Sequence, residues 1–157
     1  MKTKFAIGVL VQWYESSIIE YYIDSLKDAI ERYDGEVIVD VCIIADTTLE
    51  KPTSQEDKEL AIEKIDDICE EAFGYNYIRN EYEKLYTIAD YRREFNDKYC
   101  TEADVLVWGE SDMLVPKQSF VVLDHLHQNV DSPKYLATFS ICKMWDDSWK
   151  PLEHPDF

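Results

Sequence analysis

The chain predicts an α/β domain with a mostly parallel central sheet flanked by helices. Two observations carry this expectation. Strand-like apolar runs alternate with stretches of helical periodicity across short links. Those runs are continuously apolar, the pattern of strands covered on both faces. At 157 residues, with 46% hydrophobic and 31% charged side chains, one domain spanning residues 1–157 is expected.

The first run, Phe5 to Gln12 (FAIGVLVQ), reads as a buried strand. Ile18, Ile19, Tyr22, Ile23, Leu26, Ala29, Ile30 and Tyr33 then recur at three- and four-residue spacing, which draws an amphipathic helix. Ser17 with Glu20 forms a capping-box pattern before it, and Gly35 stands where the helix stops. Glu36 to Ala45 is a second strand, followed by Asp46-Thr47-Thr48 and the loop-like TLEKPTSQ. Glu56 to Ala72 is a second helix, with Leu60, Ala61, Ile65, Ile68, Cys69 and Ala72 inward and Gly74 at its end.

A short strand at YNYI precedes a third helix, Glu83 to Tyr99, with Leu85, Ile88, Ala89, Arg92, Phe95 and Tyr99 on its inner face. ADVLVWGESDMLVP, from Ala103 to Pro116, is a strand that ends on two carboxylates. A helix from about Gln118 to Asn129 and a last strand from Tyr135 to Cys142 complete the order. There is no internal repeat.

The formal net charge is -17, from 33 acidic and 16 basic residues. Such a field disfavours nucleic acid and anionic lipid as partners. An anionic substrate here needs a metal ion or local arginines. Cys42, Cys69, Cys100 and Cys142 form no CxxC pair, and three of the four sit inside apolar periodic runs, which reads as reduced, buried thiols of a cytoplasmic protein. The opening MKTKFAIGVLVQW is too soon polar for a spanning helix and has no small-residue cleavage site. A protein that does not span a membrane is expected.

In open parallel sheets, ligands gather at the carboxyl ends of the strands. The polar groups that follow the strands are Tyr14-Glu15, Asp46-Thr47-Thr48 and Glu110-Ser111-Asp112, and all three are expected to face one crevice. Glu110 and Asp112 are two apart, so an extended segment turns both carboxylates to one side. Two hard oxygen ligands suit magnesium or manganese, with phosphate oxygens completing the shell. His125 and His127 lie two apart in a helix and make a poor metal pair. The acidic run EKIDDICEEA reads as a solvated helix face.

ADVLVWGESDMLVP resembles the G-D-x-I-x-F-L-D-x-D-D-x-L-x-P segment of family 2 glycosyltransferases, with Glu110-Ser111-Asp112 on the Asp-x-Asp. VLVQWYESSIIEYYIDSL is similar to that family's opening V-x-x-Y-N-E strand and helix. IIADTTLEKP stands at its V-V-D-D-G-S-x-D, and TIADYRREFND at its A-x-x-R-N helix. The resemblance covers roughly residues 5–118. It implies the nucleotide-diphospho-sugar transferase fold called GT-A, with 5–118 as the nucleotide-sugar half and 119–157 as the start of an incomplete acceptor-side half.

The resemblance also implies roles. Tyr14 and Glu15 would lie beside the nucleotide base, and Asp46 would bind base or ribose with Thr47 nearby. Arg92 or Arg93 would approach the diphosphate. Glu110 would contact ribose or metal, and Asp112 would ligate a manganese or magnesium ion bridging the phosphates. The donor would be a uridine or guanosine diphosphate sugar, and the acceptor is unspecified. Candidates for the base are Asp146, Asp147 and Glu153; Trp145 and Trp149 would face an acceptor sugar, and His154 would be a late metal ligand. This chain departs from the family pattern at Glu110, at Glu94 in place of the Asn after Arg, and in lacking the glycine of the second motif.

The implied activity is metal-dependent, inverting sugar transfer, in which a carboxylate base serves a direct displacement. The alternatives are a truncated, non-catalytic nucleotide-binding module that needs a partner, and a plain α/β scaffold with an acidic surface. A nucleotidyltransferase would ordinarily show a glycine-rich phosphate loop, and the four glycines form none.

Overall fold

In a computed structural model, residues 1–45, 54–82, 86–132 and 134–138 are described. They form four strands and four α-helices in the order β1 (Phe5–Gln12), α1 (Ile19–Glu31), β2 (Val37–Ile44), α2 (Gln55–Phe73), β3 (Tyr77–Tyr82), α3 (Ile88–Tyr99), β4 (Val105–Glu110) and α4 (Ser119–Asn129). A 3-10 turn, Trp13–Ser17, joins β1 to α1. The α/β class with a parallel sheet is as the apolar runs predict.

The sheet order is β3-β2-β1-β4, and every pairing is parallel. The chain steps outward from β1 to β2 to β3, then returns to lay β4 on the other side of β1. Parallel crossovers keep one hand, so reversing the direction of travel moves the connecting helix to the opposite face. Accordingly α1 and α2 lie together on one face and, among the described helices, α3 lies on the other.

The two-residue period of the strands divides the core between these faces. Phe5, Ile7, Val9, Val11, Val39, Val41 and Ile43 pack under α1, α2 and α4 with Ile23, Leu26, Ile65 and Phe120. Ala6, Cys42 and Ile44 pack under α3 with Tyr91, Phe95 and Tyr99. Burial pushes the Cys42 and Cys69 thiols up to about 12, so both are inert structural groups. Cys100 is exposed.

Asp40 interrupts the apolar run of β2 on the α3 face and is only 2% exposed. Tyr99 donates its hydroxyl to the carboxylate at 2.6 Å, and Tyr91 does so at 3.1 Å. The Asn80 amide of β3 donates at 2.8 Å, and Lys98 reaches it at 3.0 Å. A buried charge is tolerable only when so fully satisfied. The network ties α3 to β2 and β3. Gly8 of β1 lies opposite Asp40 and leaves the room, since a Cβ there would stand 2.9 Å from the Tyr91 hydroxyl and 2.8 Å from the Phe95 ring.

Several local expectations are corrected. The Ser17–Glu20 box does not cap α1; Ile18 is the N-cap, because the chain enters the helix through the 3-10 turn. Leu60 is exposed at 57%, and Ile62, two residues on, takes an inner position with Ile65 and Cys69. The third helix begins at Ile88, where Thr87 and Asp90 cap each other's backbone amides, and residues 83–85 lie outside the described set. Its inner stripe is Tyr91, Phe95 and Tyr99, while Ile88 and Ala89 are exposed. The short strand expected at YNYI runs instead from Tyr77 to Tyr82, at an edge of the described sheet. Residues 135–138 have no strand pairing, and 139–142 lie outside the described residues.

Removal of the Asp40 carboxylate takes the acceptor from the buried Tyr99 hydroxyl, strips Asn80 and Lys98 of their partner, and leaves Tyr91 only the Asp40 carbonyl at 3.0 Å. Asp40→Ala is expected to lower stability by about 3–5 kcal/mol, read from urea unfolding followed by circular dichroism. A loss within experimental error would mean that α3 is held by apolar packing alone.

Candidate functional site

The reversal of strand order falls between β1 and β4. In an open parallel sheet, this is where the crevice opens at the carboxyl ends of the strands. β1 delivers the 3-10 turn there, and β4 delivers the turn that follows Glu110. The Glu15 carboxylate joins the two. Its Oε2 accepts from the Gln12 amide at 2.6 Å and from the Ser111 hydroxyl at 2.9 Å. Tyr14, beside it, is exposed at 44% and lies edge-on to the Trp13 ring.

Burial pushes the Glu15 carboxyl above its ordinary range, the hydrogen bonds from Gln12 and Ser111 oppose this, and the charges of Asp112 and Glu110 add to it. Three carboxylates therefore feel one another at the ends of β1 and β4. They do not form a ready cage. The Met113 amide donates to the Glu110 carbonyl at 3.2 Å, so 110–113 is a turn and not an extended segment. Ser111 is buried inside it, and Asp112 is exposed. The expectation that Glu110 and Asp112 share one side through extended backbone is corrected by this turn.

Glu110 is the last residue of β4 and belongs to the row that faces α3. There the Arg92 guanidinium meets its Oε1 at 2.6 Å. Arg92 also lies over Trp108, with its Cζ 5.1 Å from the ring centroid, a cation–π arrangement. The Trp108 indole N–H donates to Asn96 Oδ1 at 3.1 Å, which orients the ring. Trp108 is 42% exposed because β4 is an edge of the described sheet, unlike the fully covered strand expected from its sequence. Arg93 points elsewhere: its side chain is 69% exposed and pairs with Asp90 at 3.3 Å. Of the two arginines, Arg92 belongs to the crevice.

Behind β4, the Tyr22 side chain of α1 presses its hydroxyl against Gly109, where any Cβ would collide with it. That hydroxyl is fully buried, has no hydrogen-bond partner among the described residues, and is pushed upward in pKa by burial and by the charge of Glu110. After the turn, the Val115 amide donates to Ser25 Oγ at 2.9 Å and pins the outgoing chain to α1.

The structure thus brings together Tyr14, Glu15, Arg92, Glu110 and Asp112 of the residues singled out in the sequence. Asp46, Thr47, Asp146, Asp147, Glu153, Trp145, Trp149 and His154 lie outside the described residues. His127 bonds Tyr135 at 2.9 Å, while His125 neighbours Asn129, so the two histidines have different partners. Sequence reasoning missed Ser111 as the bridge to Glu15 and Trp108 as the support of Arg92. Their types give no signal until β1 and β4 are known to be neighbours. Among the described residues, no group of three or more His, Cys, Asp or Glu could hold a metal ion, and no helix is long and apolar enough to cross a membrane. No protein-family model matches the chain, and no curated protein matches it significantly.

The raised Glu15 pKa fixes the sign of a pH effect. A carboxyl that holds its proton more tightly when folded loses stability as pH rises from its ordinary value of 4.5 through the folded one. Glu15→Gln keeps an acceptor for Gln12 and Ser111 but removes the charge. Its stability relative to wild type is expected to grow between pH 4 and pH 7, as measured by urea unfolding at both. A difference that stays flat, or shrinks, would show that Glu15 is not held at a cost.

Proposed function

We propose that this chain binds a nucleotide-diphosphate sugar across the carboxyl ends of β1 and β4 and transfers the sugar to an acceptor, as a GT-A-type glycosyltransferase. The observation that carries the reading is the meeting of Glu15, Ser111, Glu110 and Arg92 at the reversal of strand order. The four sequence motifs of the family resemblance fall on the elements that build this crevice, or on the segment directly after β2.

In this reading the planar Arg92 fork, held flat by Trp108, receives a diphosphate oxygen pair. Tyr14 offers an exposed ring to the base, with Asp46 and Thr47 completing the base and ribose contacts. Glu15 holds the turn after β4 against the end of β1, so that the floor of the crevice keeps its shape. Asp112 and Glu110 would hold a manganese or magnesium ion, a hard cation that one or two carboxylates suit when a diphosphate is also bound. When bound, such an ion supplies charge stabilisation to the departing nucleoside diphosphate. Asp146, Asp147 and Glu153 remain the candidates for the base that deprotonates the acceptor hydroxyl, with Trp145 and Trp149 beside the acceptor.

The test is calorimetric titration of uridine and guanosine diphosphates, with and without manganese, into wild type and Asp112→Ala. Binding that depends on manganese and weakens at least tenfold in the variant is expected. No heat and no thermal shift with any nucleotide would remove the donor site, and the enzyme reading with it.

A further inference from the structure

Arg92 and Glu110 occupy each other. The guanidinium lies 2.6 Å from Glu110 Oε1, while its flat face rests on Trp108. The side chains are 32% and 45% exposed, so ligands of opposite charge can reach both. On the reading above, they serve opposite ligands: Arg92 the diphosphate, Glu110 the ribose or the cation. A divalent cation arriving alone at Glu110 meets the guanidinium as a like charge within a few ångströms, and a diphosphate arriving alone at Arg92 meets the Glu110 carboxylate in the same way.

From this geometry we propose that the Arg92–Glu110 pair is a charge gate on the donor site. Each partner masks the other against a lone ion. A cation and a diphosphate arriving together exchange the partners, with Arg92 turning to phosphate and Glu110 to the cation. Trp108 and Asn96 keep the guanidinium in its plane during the exchange, so that it pivots and does not swing into solvent. The gate rests on the nucleotide-sugar reading of the crevice. It also makes binding of the two ions reciprocal, because each relieves the repulsion that the other would meet.

The experiment uses the full chain, with manganese binding followed by the electron paramagnetic resonance signal of the free ion and uridine diphosphate binding followed by calorimetry. Arg92→Gln is expected to strengthen binding of manganese alone by roughly two- to fivefold. Glu110→Gln is expected to strengthen metal-free uridine diphosphate binding by a similar factor. Arg92→Lys, which keeps the charge, is expected to leave manganese binding as weak as in wild type. Thermal melts by circular dichroism establish that each variant is folded; if Arg92→Gln is not, the Glu110→Gln arm decides. If wild type binds uridine diphosphate with manganese but neither glutamine variant shows its gain, the gate is overturned and the donor site stands. If wild type binds neither, the donor-site reading falls and the gate falls with it.

Discussion

Asp40 is the constraint on which the rest of the arrangement depends. A carboxylate in the middle of a strand covered on both faces must be met by donors on every side, or the strand would not pack. The donors come from β3 through Asn80 and from α3 through Tyr91, Lys98 and Tyr99. Satisfying one group therefore determines where α3 lies along the sheet and which way it is turned. Apolar packing of Phe95 alone would leave the helix freer to slide, because such contact is not directional. The tyrosines are held protonated by burial and by the neighbouring carboxylate, so they act as donors throughout the ordinary pH range.

The consequence reaches the crevice one residue along. Arg92 follows Tyr91 on α3, so the helix that Asp40 anchors aims the guanidinium at the end of β4. The sheet supplies the other half, since the reversal of order places β4 beside β1 and brings their carboxyl ends together. In a chain of net charge -17, an anion finds few favourable places. A guanidinium held on Trp108 against a single carboxylate is such a place. Glu15, Glu110 and Asp112 add acidity around it.

Much of this was legible in the sequence. The continuous apolar runs identify β1 and β2, the periodic residues identify α1, and the bounds expected for α4 differ from the observed Ser119–Asn129 by a residue. Of the three groups expected to converge, those after β1 and β4 meet through the bond from Ser111 to Glu15, while Asp46-Thr47-Thr48 lies outside the described residues. What was not legible depends on knowing neighbours. Asp40 in VIVDVCII gives no local sign that it is buried and bonded. Gly8 looks like a weak point in a strand until Tyr91 and Phe95 are seen to need its space. The turn at 110–113 was hidden because E-S-D fits extended and turned backbone equally well, and the bond from the Met113 amide to the Glu110 carbonyl decides between them. The choice between Arg92 and Arg93 likewise waited on the stripe of Tyr91, Phe95 and Tyr99, which sets the rotation of α3.

The central claim is that the ligand crevice lies at the carboxyl ends of β1 and β4. The most direct measurement is amide chemical-shift mapping of the labelled protein during titration with uridine diphosphate and magnesium. The largest shifts are expected at residues 12–15, 92 and 108–113, with little change at the amino ends of the same strands. Shifts centred on residues 1–5 and on α4, or spread without focus over the acidic face of α2, would contradict it.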